Sequence, residues 1–109
     1  MAYDEQLADR VRELLEARSD VATKRMFGSL GFLVGGHLAC CVQRDGLLVR
    51  LPPDDAVAAL AEPATRPFVM GGRHARGWVV VDRDGLGEPG ALDHWVGRGV
   101  ASAAALAAR

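Results

Sequence analysis

Cysteine is almost absent from this chain. The two it has, Cys40 and Cys41, are adjacent and close no loop, so a disulfide-stapled scaffold is excluded. Neither a C-x-x-C nor an H-x-x-x-H spacing is present. On an extended strand His37 and Cys41 lie about 13 Å apart, far beyond the reach of a shared zinc, so no metal or cofactor is expected. Apolar runs are short, well under the ~20 residues of a bilayer span, and the N-terminus is acidic and amphipathic rather than a signal peptide. A cytoplasmic protein with no membrane partner is the expectation. An excess of one charge is also missing: thirteen basic and fourteen acidic residues leave a net of -1. That balance offers little counterion-release drive, and no predicted helix carries a basic run suited to a groove, so direct nucleic-acid binding is disfavoured. Hydroxyls occur at Tyr3, Thr23, Ser29, Thr65 and Ser102, but none sits in a G-x-S-x-G turn and no carboxylate pair has a defined separation. The expectation is a protein that is not an enzyme.

What is present suits one compact unit. A chain of 109 residues, half of them hydrophobic and a quarter charged, is the size and mix of a single globular domain spanning residues 1–109. Surface scaling allows about 65% of the extended chain's surface to be buried, enough for a core without metal or disulfide. In residues 4–18, Leu7, Val11, Leu14 and Leu15 recur at helical spacing with acids on the other faces, which predicts an amphipathic helix. From Lys24 the pattern becomes extended, punctuated by Gly35-Gly36 and Asp45-Gly46, both two-residue hairpin signals. Strands are expected at 24–34, 37–44 and 47–51, the first bulged at Gly28 and Gly31. Pro52-Pro53-Asp54-Asp55 stops the third strand and opens a short helix to Leu60. A short strand at 68–70, a firmer one at 77–81 and a last helix from Pro89 complete the chain, with the Ala-rich end expected to fray unless something packs on it. The order is α-β-β-β-α-β-β-α, an α+β fold with a single antiparallel sheet and its helices on one face. Of the paired residues, Cys40 is expected in the core with Cys41 at the surface or edge, or the reverse, while Trp78 packs beside the first helix and Trp95 against the sheet.

Gly85-Leu86-Gly87-Glu88-Pro89-Gly90 matches the G-x-G-x-x-G dinucleotide signature but fails on context. No second parallel strand and no acidic residue about 20 positions later follow it, so a turn and a helix start explain its glycines.

The charge distribution is more informative than its sum. Residues 21–44 carry Lys24, Arg25 and Arg44 without an acid, and residues 63–81 carry Arg66, Arg73 and Arg76 without an acid. Twelve of the thirteen basic residues are arginine, whose planar fork suits carboxylate and phosphate.

The segment Lys24-Arg25-Met26-Phe27-Gly28-Ser29-Leu30-Gly31-Phe32 resembles the K-R-M-F-G-G-x-x-F opening of the TfoX N-terminal domain (TfoX/Sxy-like) family. Further features agree in order: Gly36-His37, Leu47 to Leu51, Arg66-Pro67-Phe68, Met70-Gly71 and Gly77-Trp78, while Ser29 replaces the motif's second glycine. The resemblance runs from about Tyr3 to Ala101. It implies a secretion-chaperone-like α+β fold, frequent self-association and no known catalytic residue. Full-length TfoX proteins are positive regulators of natural competence that act alongside a cyclic-AMP-responsive transcription factor and carry a second, helical domain. These residues include no such domain, and the resemblance therefore implies a stand-alone regulatory or adaptor module.

Taken together, the basic blocks and the matched motif nominate a binding site of Lys24, Arg25, Phe27, Gly28, Arg50, Arg73 and Arg76. Its expected partner is another protein or a second copy in a homodimer, with a small anionic ligand in an Arg-lined pocket as the alternative.

Overall fold

The computed structural model describes residues 2–109. Helix α1 (Glu5–Leu15) is followed by strands β1 (Val21–Met26), β2 (Ser29–Val34), β3 (His37–Val42) and β4 (Gly46–Arg50), helix α2 (Pro53–Ala59), strands β5 (Thr65–Met70) and β6 (Arg73–Asp82), a 3-10 turn at Arg83–Leu86, and helix α3 (Pro89–Ala107). The six strands form one antiparallel sheet in the order β1-β2-β3-β4-β6-β5. This is the expected α+β class with its expected sequence of helical and extended blocks. The stretch 24–34, expected as one bulged strand, is instead a hairpin. Phe27 and Gly28 both have positive φ, at 49° and 82°, and between the paired residues Met26 and Ser29 they make the tight turn that joins β1 to β2. Phenylalanine is a poor residue for that conformation, which is why the turn is hard to read from composition.

α1 begins where the Asp4 carboxylate accepts a hydrogen bond from the Leu7 N–H at 3.1 Å, satisfying one of the free donors of the first turn. Its apolar stripe Leu7, Ala8, Val11 and Leu15 is buried, whereas Leu14 is exposed. All three helices lie on the same sheet face. Ala56 and Ala59 of α2 and Leu92, Trp95 and Val96 of α3 join the α1 residues over Leu30, Phe32, Cys40, Val42, Leu47, Val49, Val79 and Val81. Burial of each Val, Leu or Phe side chain among these contributes about 1.5–3 kcal/mol, so this layer holds the fold. The Ala-rich end of α3 stays helical because Ala103 packs on Val34 and Ala39. At Gly99 the helix approaches β3 so closely that a Cβ would stand 2.5 Å from the Ala39 carbonyl oxygen.

The opposite face has a smaller cluster. Cys41, Leu48 and Val80 are buried there, with Met26, Phe68 and Trp78 half-buried around them. The two cysteines do point to opposite faces, but both are buried, because Cys41 sits on an interior strand whose neighbours cover it. Trp78 is likewise on this face rather than beside α1. It pairs across the ladder with Arg50, one residue out of step with the core residue Val79.

Candidate functional site

The seven nominated residues fall into two groups. Lys24, Arg25, Phe27 and Gly28 belong to β1 and its turn, at one edge of the sheet. Arg50 ends β4, and Arg73 and Arg76 lie in the first half of β6. Three strand spacings separate β1 from β4 and four separate it from β6, which is about 14 and 19 Å at the usual interstrand distance. The basic blocks therefore do not gather on one patch. The physical reason is connectivity: two hairpins place β2 and β3 between the first block and β4, and β6 returns on the far side of β4.

In the first group, β1 pairs only with β2, and its residues 22–25 are exposed. Register places Lys24 opposite Gly31 and Arg25 opposite Leu30, so the two cations occupy opposite faces of the edge strand. Phe27 is fully exposed, at 108% of its reference area. A left-handed backbone costs a residue with a Cβ roughly 1–2 kcal/mol, and this one gains nothing from burial in return. Gly28 carries the second positive φ of the turn and approaches Ala2, with a built Cβ 2.9 Å from the Ala2 Cβ.

Two of the second group, Arg50 and Arg76, line a cavity of about 390 Å³ where β4 leaves the sheet and α3 ends. Arg50 donates from Nε to the Leu38 carbonyl at 2.6 Å, and its guanidinium lies 4.4 Å above the Trp78 ring. Burial lowers the pKa of this guanidinium from its ordinary value. Arg76 and Arg109 line the same cavity, whereas Arg73, next to the Gly71-Gly72 turn, does not. Gly77 has φ 81°, and its carbonyl accepts a hydrogen bond from the Leu51 N–H at 2.8 Å. A Cβ there would meet the Leu51 carbonyl oxygen at 3.0 Å, so glycine is what lets β6 close against Leu51 beside Arg76. Arg109 is the contributor that sequence reasoning missed. No local pattern marks it, since only the path of α3 brings it to Arg50.

Ion pairing divides the cations into two sets. Among the described residues, Arg12, Arg18, Arg66, Arg83 and Arg98 each have a carboxylate within 4.0 Å. Among the described residues Lys24, Arg25, Arg50, Arg73 and Arg76 have none, and neither do Arg10, Arg44 and Arg109. Hydrogen bonding within the Arg18–Asp20 pair lowers the Asp20 pKa, a local tie just before β1. Among the described residues no group of three or more His, Cys, Asp or Glu could hold a metal ion, and no helix is long and apolar enough to cross a membrane.

An open antiparallel sheet with helices on one face only defines an α+β domain, and cations without carboxylate partners among the described residues lie at one edge and one end of it. The particular family follows from the sequence match: residues 13–103 match the TfoX N-terminal domain, and the chain belongs to that family. It is not a known enzyme family. No curated protein and no solved structure matches the chain.

Proposed function

We propose that the chain is a non-enzymatic adaptor module that takes an acidic, extended segment of another protein onto the free edge of β1. The observation that carries this reading is Phe27, a fully exposed aromatic held at positive φ beside two cations without carboxylate partners. Outliers of this kind persist where the surrounding structure or a function requires them. An edge strand offers unpaired N–H and C=O groups to an incoming strand, and side chains on alternate positions supply selectivity. Lys24 and Arg25, one on each face, set the preference for acids. Charge also argues against a second copy in this place. Two-fold antiparallel pairing of β1 with itself would bring Lys24 and Arg25 close to the same cations of the partner, which is destabilising.

Titration of the ¹⁵N-labelled protein with a hexapeptide of alternating Glu and Val tests the reading. Shifts concentrated on residues 21–30, lost in Arg25→Glu and weakened by salt, are expected. Equal binding of the corresponding Lys-Val peptide, or shifts confined to the helical face, would refute it. A sedimentation experiment showing a dimer that buries β1 would replace the acidic segment with a second copy. Binding of duplex DNA at low salt would overturn the protein-partner assignment.

A further inference from the structure

The cavity beside Arg50 has no part in the β1 edge and presents a separate problem of charge. Its guanidinium is half-buried, uses Nε on the Leu38 carbonyl, rests on Trp78, and has no carboxylate partner among the described residues. Its two terminal nitrogens remain, and these form the prongs that grip a planar or tetrahedral anion. Arg76 stands on the same cavity from β6, and Arg109 comes from the end of α3. No acidic side chain lines this space, although Asp54 and Asp55 line neighbouring hollows. The remaining wall is mostly apolar, from Leu51, Pro52 and Leu106, with Ser102 on the α3 side. At about 390 Å³ the cavity is larger than an inorganic anion requires and falls within the range of small-ligand sites.

We infer that this cavity is a binding site for a compact phosphomonoester, its dianionic head held between Arg50 and Arg76 and its apolar body against Leu51, Pro52 and Leu106. A dianion balances the charge of two guanidiniums, whereas a monocarboxylate balances only one. Trp78 beneath Arg50 holds the fork in place before the ligand arrives, so little side-chain entropy is lost on binding. The same stacking explains how a half-buried cation persists with no carboxylate partner: ring and carbonyl contacts stabilise it in the empty protein, and an anion completes it.

The probe is phenyl phosphate, titrated at low salt and followed by the arginine Nε–Hε and tryptophan indole resonances. Saturable shifts at Arg50, Arg76 and Trp78 are expected, with tighter binding than either inorganic phosphate or benzoate. Losing a charge-assisted hydrogen bond costs enough that Arg76→Met should weaken binding about tenfold or more. Arg50→Lys, which keeps the charge and loses the fork, should do the same. Arg44→Met, on the turn between β3 and β4, should leave affinity unchanged. Were Arg50→Lys to lose its fold, Arg76→Met still decides, because that side chain is exposed. Absence of saturation at tens of millimolar, equal affinity for benzoate, equal affinity for inorganic phosphate, or an equal loss in Arg44→Met would overturn the assignment.

Discussion

Replacing Phe27 by asparagine should make the protein more stable while removing part of its proposed docking edge. Phe27 lies at φ 49° in a turn whose other central residue, Gly28, lies at φ 82°. For an L-residue the Cβ crowds the following carbonyl in this region, at roughly 1–2 kcal/mol, whereas asparagine adopts it routinely and is the favoured first residue of such a turn. The compensating loss is negligible, because the ring is fully exposed and burying none of it contributes no apolar stabilisation. A net gain of about 1 kcal/mol follows, and with an unfolding entropy typical of a domain this size the Tm rises by about 4 °C. Thermal and urea unfolding followed by circular dichroism measure it. Phe27→Ala is the control. It removes the ring but keeps the Cβ, and should lie within about 0.5 kcal/mol of the parent, as surface substitutions usually do. If Phe27→Asn lowers the Tm, or if Phe27→Ala destabilises by more than 1–2 kcal/mol, on the order of a buried side chain, the ring makes contacts within the fold and the case for it as a docking residue fails.

Two further outcomes follow from packing and burial. Gly99→Ala should destabilise by about 1–3 kcal/mol because its Cβ meets the backbone of Ala39, while Gly97→Ala on the same helix, with no neighbour within 4 Å, should stabilise by up to about 1 kcal/mol; urea midpoints of the two variants check the contrast. Cys40 is fully buried and its thiol is pushed up to about 12 by loss of hydration, so the native state holds it protonated. Stability from this group is complete below the unfolded thiol's pKa of about 8.5 and declines above it by up to about 1.4 kcal/mol per pH unit until the folded value is passed. Comparing unfolding free energies of the parent and Cys40→Ala from pH 7 to pH 10, on the order of that window, isolates the effect: the difference between them should shrink as pH rises.

How far the chain could be read from its residues depended on how local the signal was. The stripe Leu7, Val11 and Leu15, the Pro52-Pro53 stop and the Pro89 start are short-range patterns, and the helices lie where those patterns put them. Gly35-Gly36 marked its hairpin because glycine tolerates positive φ. The turn at Phe27 was missed for the opposite reason, an aromatic occupying a conformation normally left to Gly, Asn or Asp. Strand alternation separated Cys40 from Cys41 correctly. It was silent on whether either face would be covered, which depends on Met26, Phe68 and Trp78 arriving from other strands.

Residue order alone therefore decided the element types, the balance of charge, the motif at Lys24–Gly28 and the family, since each rests on neighbours a few positions apart or on a linear match. Which cations share a site was decided by topology. The β1–β2 hairpin carries Lys24 and Arg25 to one edge, and the return of β6 beside β4 sets Arg76 near Arg50, with the length of α3 adding Arg109. Charges distant in sequence meet only where the strand order and a packed helix bring their Cα atoms together, and no periodicity in the chain encodes that distance.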